Sequence, residues 1–333
     1  PNYVTAEATY TLTVNPKDVT VTADDKSKVY GDADPKLTAT DSGLLGTDKV
    51  TYTLGRETGE KEGTYAITPS GEEIQGNYTV TYNPGTLTIT AQSIVPEDPS
   101  YRGVTVDDPR DHEYDAQEHK WTPTVTDKDG NTLTEGTDYK VSYDTDNFVD
   151  VKTITVTITG EGSYSGSVTR TYKITPASAT VTADNKSKMF GEADPELTAD
   201  VSGLYGTDKV EYTLSREPGE NVGDYVITAS GEPDQGNYTV TYNPGTLTIT
   251  RKGTLTVTGT PYEGIYDGNE HGSAASANVT EGTVISYKTG DGDWTATAPT
   301  IKDVGSREVT VKAENPNYVT AEATYTLTVN PKD

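Results

Sequence analysis

Histidine and carboxylate side chains that could do acid–base or metal chemistry occur in a repeated pattern. The pattern Tyr-Asp-x-x-Glu-His appears twice, ending at His119 and at His271, and the third histidine of the chain is His112. An imidazole beside carboxylates can act as a general base or ligate a metal ion. Such a site needs partners from other strands, and the sequence identifies none. We therefore favour a structural role, in which the tyrosine packs and the polar groups satisfy a loop.

Acidic loops are the second group of candidate ligands. Asp127-Lys128-Asp129-Gly130-Asn131 and Asp291-Gly292-Asp293 faintly resemble calcium loops, but the EF-hand spacing with its distal glutamate is missing. Hairpin turns are also rich in Asp and Gly, so the same residues occur in them without a bound ion. We therefore favour solvated turns. Three further acidic groups could gather around an ion at a domain junction: Asp24-Asp25, Asp32-Ala33-Asp34 and Asp107-Asp108.

Signatures of catalysis are missing from the sequence. There is no G-x-G-x-x-G, P-loop or G-x-S-x-G pattern, and Gly160-Glu161-Gly162 lies between predicted strands. Trp121 and Trp294 could stack on sugars, but a structural role is preferred for only two tryptophans. Lys–Asn isopeptide cross-links would need a buried lysine, an asparagine and an acid. We predict no enzyme and assign no catalytic, cofactor-binding or metal residues.

Charge and composition narrow the partners. With 26 Lys+Arg against 52 Asp+Glu, the net charge is −26, so the chain lacks the basic stripe that nucleic-acid binding requires and would be repelled by anionic membranes. No apolar run has the length of a membrane span. There is no cysteine, so each domain must rely on its core, an ion or another covalent link. We expect export and anchoring signals to lie outside this segment.

Internal repeats decide the organisation. Residues 19–90 align without gaps to residues 179–250, with 53 identities in 72 positions. We name this repeat type A. Residues 92–176 and 251–333 share the Tyr-Asp-x-x-Glu-His pattern, a long alternating strand, a turn with a tyrosine and a closing strand. We name this repeat type B. The predicted domains are A1 (19–91), B1 (92–176), A2 (177–250) and B2 (251–333).

Residues 1–18 are a third repeat, because they are identical to residues 316–333, 315 positions further along. They correspond to the closing strands of a type B domain. We therefore expect this chain to be one period of a longer array with a period of 315 residues. Tyr3 to Val14 should be strand-like, with few partners in their own chain, since a lone hairpin is marginal in water.

Strand patterns run through the whole chain. Threonine and apolar residues alternate with period 2, as in Val19 to Thr22 and Tyr65 to Ile67. This alternation predicts strands with one buried face and one solvent-exposed face. Asn83-Pro84-Gly85 predicts a hairpin turn, with an unusual φ at the glycine, and Asp129-Gly130 predicts another turn. The fold class is all-β: four tandem, small, mainly antiparallel β-sandwich (Ig-like) domains in an elongated rod with very short junctions. A β-grasp-like sheet with one helix is the alternative for type A, because Leu37 to Lys49 is poorly patterned.

Several type A motifs together resemble a known family. Lys28-Val29-Tyr30-Gly31 with Asp34-Pro35 is followed by Ser42-Gly43-Leu44, Gly63-Thr64-Tyr65 and Gly76-Asn77-Tyr78. This order resembles the MBG domain of the YGX type, although Phe190 replaces the motif tyrosine in the second copy. The type B segments look like the related YDG-like repeats of Gram-positive surface proteins. The resemblance implies a tandem β fold in a large cell-surface adhesin, and it carries no catalytic residues.

Three function classes remain open. The first is a structural stalk or spacer of a bacterial cell-surface adhesin, whose partners are neighbouring repeats in the same array. The second is a module that binds host glycan or protein, and the third is a self-assembling filament or surface layer formed with other copies. All three imply an extracellular, cell-surface location, cell-wall anchored or secreted, with no nucleic-acid partner and no membrane insertion.

Overall fold

The computed structural model describes residues 2–253 and 255–333, so Pro1 of the repeated 18-residue segment and Thr254 of B2 lie outside the described residues. All regular structure there is β-strand and none is helix. The described residues therefore contain no helix long and apolar enough to cross a membrane. The chain divides into two units: residues 1–113 with 117–175, and residues 114–116 with 176–333. Unit 1 holds A1 and B1 except for residues 114–116, and unit 2 holds A2 and B2. Residues 2–16 belong to no strand, so the strand-like conformation expected for Tyr3 to Val14 is not found.

Domain A1 is a sandwich of two four-stranded sheets. Its strands are β1 (Lys17–Ala23), β2 (Lys26–Val29), β3 (Ala39–Ser42), β4 (Thr53–Arg56), β5 (Gly63–Ser70), β6 (Ile74–Gln75), β7 (Tyr78–Asn83) and β8 (Gly85–Thr90). The sheet orders are β3-β1-β7-β6 and β2-β8-β5-β4. The predicted boundary at residue 19 lies inside β1, which starts at Lys17 and pairs there with Tyr78.

The core of A1 follows from the alternation in its strands. Val19, Val21 and Ala23 of β1 are buried on one face of the strand, while Thr22, on the other face, is exposed. Ile67, Leu87 and Ile89 fill the other part of the core. Each such side chain contributes about 1.5–3 kcal/mol when it is removed from water. The sandwich therefore holds together without a disulfide.

Asn83-Pro84-Gly85 is not a hairpin turn, and that prediction is wrong. β7 and β8 lie in different sheets, so the triplet carries the chain from one sheet to the other. β1 and β2 cross in the same way, which leaves β1 parallel to β7 and β2 parallel to β8. Gly85 has no positive φ; a Cβ there would lie 2.4 Å from the carbonyl oxygen of Ala23. The backbone between β7 and β8 passes close to the backbone between β1 and β2. This close approach, rather than the geometry of a turn, requires a glycine at residue 85.

Domain A2 repeats A1 strand for strand. Its strands are β17 (Ala177–Ala183), β18 (Lys186–Met189), β19 (Ala199–Ser202), β20 (Thr213–Arg216), β21 (Gly223–Ser230), β22 (Asp234–Gln235), β23 (Tyr238–Asn243) and β24 (Gly245–Thr250). The register is also the same: Thr20 faces Ser42 in A1, and Thr180 faces Ser202 in A2. Residues 37–49 contain only β3 and turns, so the β-grasp alternative with a helix there does not apply.

Domain B1 is built on one four-stranded sheet. Its strands are β9 (Gln92–Ser93), β10 (Thr105–Val106), β11 (His112–Glu113), β12 (Val125–Thr126), β13 (Tyr139–Tyr143), β14 (Lys152–Gly160), β15 (Tyr164–Ser165) and β16 (Ser167–Thr175). The main sheet has the order β11-β16-β14-β13, with β11 parallel to β16. Ile154, Val156 and Ile158, on one face of β14 in this sheet, are fully buried. β12 continues into the predicted turn at Asp129-Gly130, where Thr126 pairs with Thr132.

Domain B2 has the same plan. Its strands are β25 (Val257–Gly259), β26 (Tyr262–Ile265), β27 (His271–Gly272), β28 (Ala275–Ala277), β29 (Val284–Lys288), β30 (Thr300–Ile301), β31 (Gly305–Glu314) and β32 (Ala321–Asn330). The main sheet is β26-β32-β31-β29, and Val309, Val311 and Leu327 are fully buried. All four domains thus contain mixed sheets, mainly antiparallel with parallel pairings between strands distant in sequence.

Candidate functional site

The aromatic residue of the YGX motif in A1 lies against B1. Tyr30 follows β2 directly, and its ring meets the ring of Tyr164 edge to face, with centroids 5.5 Å apart. Tyr164 belongs to β15 and is almost fully buried, and its phenol pKa is raised, chiefly by burial. Aromatic pairs of this geometry contribute about 0.5–1.5 kcal/mol beyond the area they bury. The motif tyrosine is therefore a residue of the contact between A1 and B1.

Polar contacts surround the aromatic pair in unit 1. Arg102 of B1 donates to both carboxylate oxygens of Asp32, over 2.8 and 3.0 Å. The backbone N–H of Glu62 donates to the hydroxyl of Ser163 over 3.1 Å. Asp32 is the third residue of the YGX motif, and Ser163 precedes the aromatic Tyr164. The same short segments thus supply the apolar and the polar contacts, and we call this region the A–B joint.

Unit 2 has an A–B joint of the same design. Phe190 meets Tyr318 edge to face, with centroids 5.6 Å apart. The backbone N–H of Val222 donates to the side-chain oxygen of Asn317 over 2.9 Å. Asn317 takes the place of Ser163, and its amide also donates to Asn221 over 3.0 Å. The replacement of tyrosine by phenylalanine at residue 190 preserves the ring contact.

The chain passes from A1 to B1 without a flexible linker. β8 ends at Thr90 and β9 begins at Gln92, whose N–H donates to the carbonyl oxygen of Ser163 over 2.9 Å. In unit 2 the N–H of Lys252 donates to the carbonyl oxygen of Asn317 over 3.0 Å. The backbone that leaves the A domain is therefore hydrogen-bonded at once to the same turn that holds the aromatic ring.

A charge cluster holds the motif loop from inside the A domain. Lys28 has only 4% of its side chain exposed, and its ammonium lies 2.7 Å from Asp34 and 2.6 Å from Glu60. It also donates to the carbonyl oxygen of Asp32 over 3.1 Å. Arg56 pairs with the same two carboxylates. We call these four side chains the loop cluster, since it fixes the loop that carries Tyr30 and Asp32.

The loop cluster is repeated in A2. Lys188 lies 2.6 Å from Asp194 and donates to the carbonyl oxygen of Glu192 over 3.1 Å, and Arg216 lies 2.7 Å from Asp194. The Arg56 hydrogen bond, followed by that of Lys28, lowers the pKa of Asp34, and Lys28 followed by Arg56 lowers the pKa of Glu60. Since the carboxylates are partly exposed, solvent screens these pairs. Their role is to position a loop.

Sequence reasoning missed both loop clusters. Lys28 and Lys188 sit in strands at positions that face inward, where a lysine is rare unless it is paired. The signal was present in the sequence: Lys28, Asp34, Arg56 and Glu60 all recur 160 residues later, while many exposed positions between them change. A lysine kept at an inward position together with two acids and an arginine predicts a paired cluster.

The three histidines lie apart from the joints. His112 and His119 stack on each other with centroids 4.2 Å apart, and His271 stacks on Tyr262 at 4.5 Å. A ring nitrogen of His271 lies 2.8 Å from Asp267. The backbone N–H of Asn269, followed by His271, lowers the pKa of Asp267 to about 2. The two Tyr-Asp-x-x-Glu-His patterns thus place their histidines in different surroundings, which does not favour a shared catalytic role.

The candidate calcium loops use their carboxylates locally. Asp127 accepts hydrogen bonds from the backbone N–H groups of Asp129 and Asn131, which closes the turn. Asp24 accepts from the hydroxyls of Thr38 and Thr40, at the crossing of β1 into β2. Asp108 pairs with Arg170 at 2.7 Å. Among the described residues no group of three or more His, Asp or Glu side chains could hold a metal ion.

The two tryptophans are partly buried, and neither lies at a joint. Trp294 lies under the ammonium groups of Lys288 and Lys312, at 5.3 and 4.7 Å from the ring centroid. The backbone oxygen of Trp121 accepts from the Tyr143 hydroxyl over 2.8 Å. Gly160, of the Gly-Glu-Gly segment, ends β14, and a Cβ there would lie 2.6 Å from the N of Ser165. These residues have packing roles that the structure explains.

Fold and joints together define a tandem-repeat, all-β protein made of A–B units. A family model described as "MBG domain (YGX type)" matches residues 19–88 and 179–248. These two segments, which make up most of A1 and A2, are MBG domains of the YGX type. The resemblance inferred from the type A motifs is thereby confirmed.

Comparisons with solved structures found distant likenesses. Protocadherin Gamma B2 extracellular cadherin domains 3–6 match at 12% identity, over 96% of this chain and 99% of that one, with a TM-score of 0.31. Drosophila N-cadherin EC1–4 matches at 10% identity, over 81% and 83%, with a TM-score of 0.27. Sidekick-1 immunoglobulin domains 1–5 match at 14%, over 92% and 79%, also with 0.27.

No curated protein matches this chain.

Proposed function

We propose that this chain is a structural repeat region, a stalk or spacer, of a bacterial cell-surface adhesin. The observation that carries the proposal is the repeated A–B joint: both units join an aromatic of the YGX motif to a tyrosine of the type B turn. Repeated contacts of this kind hold each type B domain in place against the type A domain that precedes it. A spacer needs such fixed contacts between its domains.

Composition supports an extracellular location. A net charge of −26 keeps a long array soluble and resists its collapse onto other anionic polymers of a cell surface. We expect the protein on the surface of a Gram-positive cell, cell-wall anchored or secreted, and surface proteolysis of intact cells followed by antibody detection tests this location.

Small-angle X-ray scattering tests the spacer role. Four domains in line, each about 40 Å long, would span on the order of 150 Å and give a radius of gyration on the order of 40 Å. A compact body of the same length would have a radius of gyration of about 20 Å. We expect the larger value, and a value near 20 Å would contradict the spacer role.

One observation favours glycan binding as a second candidate function. Both A domains have an open cleft in the same place, with volumes of about 410 and 460 Å³. In A1 it is lined by Tyr52, Thr53 and Gln75, so that an aromatic side chain lies beside two polar ones. Binding of full-length protein to a glycan array, lost in a Tyr52→Ala/Tyr212→Ala variant, would support this function over a pure spacer.

A further inference from the structure

A cavity lies at the A–B joint of unit 2, where two loops of A2 meet two loops of B2. Its volume is about 560 Å³, which falls within the range of roughly 300–1,000 Å³ that is usual for ligand pockets. Two aromatic residues, three asparagines and a glutamate are among the residues that line it: Phe190, Tyr318, Asn221, Asn315, Asn317 and Glu281. The joint therefore leaves a space of ligand size between the domains that it connects.

Asparagine side chains hold the walls of this cavity in place. Asn315 is buried, and its amide donates to the carbonyl oxygen of Glu281 over 2.9 Å and to the hydroxyl of Thr283 over 3.0 Å. Asn317 donates to the side-chain oxygen of Asn221 over 3.0 Å, across the joint. The first asparagine fixes the two loops of B2 to each other, and the second fixes B2 to A2. A cavity formed in advance lowers the cost of ordering that a ligand would otherwise have to meet.

Three lining residues have polar groups that no protein group engages. In the part of the chain that the structure describes, the amide nitrogen of Asn221, the carboxylate of Glu281 and the hydroxyl of Tyr318 have no hydrogen-bond partner. The amide nitrogen can only donate, the carboxylate can only accept, and the hydroxyl can do both. A ligand that satisfies all three groups must therefore both donate and accept hydrogen bonds.

Charge and hydrogen-bonding capacity narrow the class of ligand. Among the described residues that line the cavity, none is a lysine, arginine or histidine, and the net charge of the chain is −26, so an anion would be repelled. An ammonium ion would suit Glu281 and the aromatic pair, but it has no acceptor for the amide of Asn221. A sugar hydroxyl donates and accepts, so it can serve both residues. Phe190 and Val279 add apolar side chains to the lining, on which the C–H groups of a sugar ring can pack.

We propose that the cavity at the joint between A2 and B2 binds a neutral mono- or disaccharide. Glu281 accepts a hydrogen bond from a sugar hydroxyl, Asn221 donates to a sugar oxygen, and the aromatic pair of Phe190 and Tyr318 contacts the C–H groups of the ring. This inference does not rest on the spacer function, and its site is distinct from the open clefts of the A domains.

The joint of unit 1 supplies a natural substitution for the test. Lys61 and Ser163 stand there at the positions of Asn221 and Asn317. Asn221→Lys therefore gives A2 a side chain that the same fold already carries in A1, and it replaces the unpaired amide by an ammonium in the cavity that Glu281 lines. Glu281→Gln removes the carboxylate charge alone.

Two further variants separate binding from folding and from the other clefts. Tyr318→Phe removes only the hydroxyl and keeps the ring that meets Phe190, so a weaker affinity in this variant cannot come from loss of the joint. Glu72→Gln/Glu232→Gln is the matched control, because it makes the same change of side chain in the open clefts of A1 and A2.

Saturation-transfer NMR on the full chain measures binding of glucose, galactose, mannose, N-acetylglucosamine, N-acetylgalactosamine and maltose, with tetramethylammonium as the cationic probe. We expect at least one sugar to bind the parent chain with a dissociation constant of about 1 mM or below. Asn221→Lys and Glu281→Gln should each weaken that affinity at least about tenfold, and Tyr318→Phe should weaken it less. The Glu72→Gln/Glu232→Gln chain should bind as the parent does.

Four results would overturn the proposal. The parent chain could bind none of the six sugars, or it could bind tetramethylammonium more tightly than any of them. The affinity could be unchanged in both Asn221→Lys and Glu281→Gln, which would place the sugar elsewhere. Loss of binding in the Glu72→Gln/Glu232→Gln chain would assign the sugar to the clefts of the A domains.

Discussion

Tyr30 and Tyr164 meet edge to face, with ring centroids 5.5 Å apart and planes inclined by 75°. One tyrosine belongs to the motif that defines the type A domain, and the other to the turn that precedes the closing strand of the type B domain. Phe190 and Tyr318 repeat the relationship in unit 2 at 5.6 Å. The motif aromatic therefore serves the contact between two domains as much as the core of its own domain.

Removal of the Tyr30 ring should weaken unit 1. Tyr30 is half-buried and packs against the A1 core as well as against Tyr164, so Tyr30→Ala should cost about 2–3 kcal/mol. Tyr30→Phe is the matched control, because A2 carries Phe190 in the same place; it should change stability by less than about 0.5 kcal/mol. Urea unfolding measures both values. An alanine variant as stable as the phenylalanine variant would show that the ring is a surface feature.

The ion pair between Asp32 and Arg102 should contribute little and depend on salt. The two side chains are 36 and 30% exposed, so solvent screens the pair, and a double-mutant cycle should give a coupling below about 1 kcal/mol. The coupling should disappear in about 1 M salt. Arg251→Met is the control, because Arg251 donates to the backbone oxygen of Pro316 over 3.2 Å. A coupling that persists in high salt would indicate a buried pair.

Acid should loosen the loop clusters. The folded-state pKa values of Asp34, Glu60, Asp194 and Glu220 are all below their ordinary values of 3.8 and 4.5. Lowered carboxyl pKa values stabilise the fold above the unfolded-state pKa, and this stability is lost as pH falls through the folded-state values. Stability should therefore decrease as pH falls below about 4.5 and continue to decrease below 3.8.

A paired substitution checks this pH dependence. The Asp34→Asn/Asp194→Asn variant should be less stable at pH 7 and lose less stability on acidification than the parent. Glu196→Gln, at an exposed position outside the cluster, should leave the slope of stability against pH unchanged. Urea unfolding between pH 7 and pH 2.5 measures both slopes. Equal slopes in the parent and the Asn variant would contradict the role assigned to the cluster.

The contact of Tyr325 with Gly259 should make that glycine hard to replace. A Cβ at residue 259 would lie 1.9 Å from the ring of Tyr325, and this tyrosine is 5% exposed. Gly259→Ala should cost about 1–3 kcal/mol through overpacking. Gly253→Ala is the control, because nothing lies within 4 Å of its Cβ position. Calorimetry on the two variants distinguishes a steric requirement from a general preference for glycine.

The all-β class could be predicted from sequence because it follows from local patterns. Alternation of apolar and polar residues in β1 and β14 indicates the buried faces of these strands. Asn83-Pro84-Gly85 could not be interpreted correctly in the same way. Two strands on either side of a turn signal make a hairpin only if they stay in one sheet, and the parallel pairing of β1 with β7 is a long-range property.

The candidate site was only partly accessible from sequence. The structure places the motif residue Tyr30 both against the A1 core and at the A–B joint. Lys28 was overlooked because its partners Asp34 and Glu60 come from separate loops, which only the folded sheets bring together. The histidine patterns drew attention through residue type, although their rings stack on His112 and Tyr262 rather than converge.

We infer that each A–B joint is a fixed contact rather than a flexible connection. The chain has no cysteine, so Thr68→Cys in A1 and Thr171→Cys in B1 provide two exposed sites for spin labels. Electron–electron double resonance between these labels should give one narrow distance distribution, which broadens when Tyr30→Ala is added. A broad distribution in the otherwise unchanged protein, like that of two domains on a flexible linker, would contradict the claim.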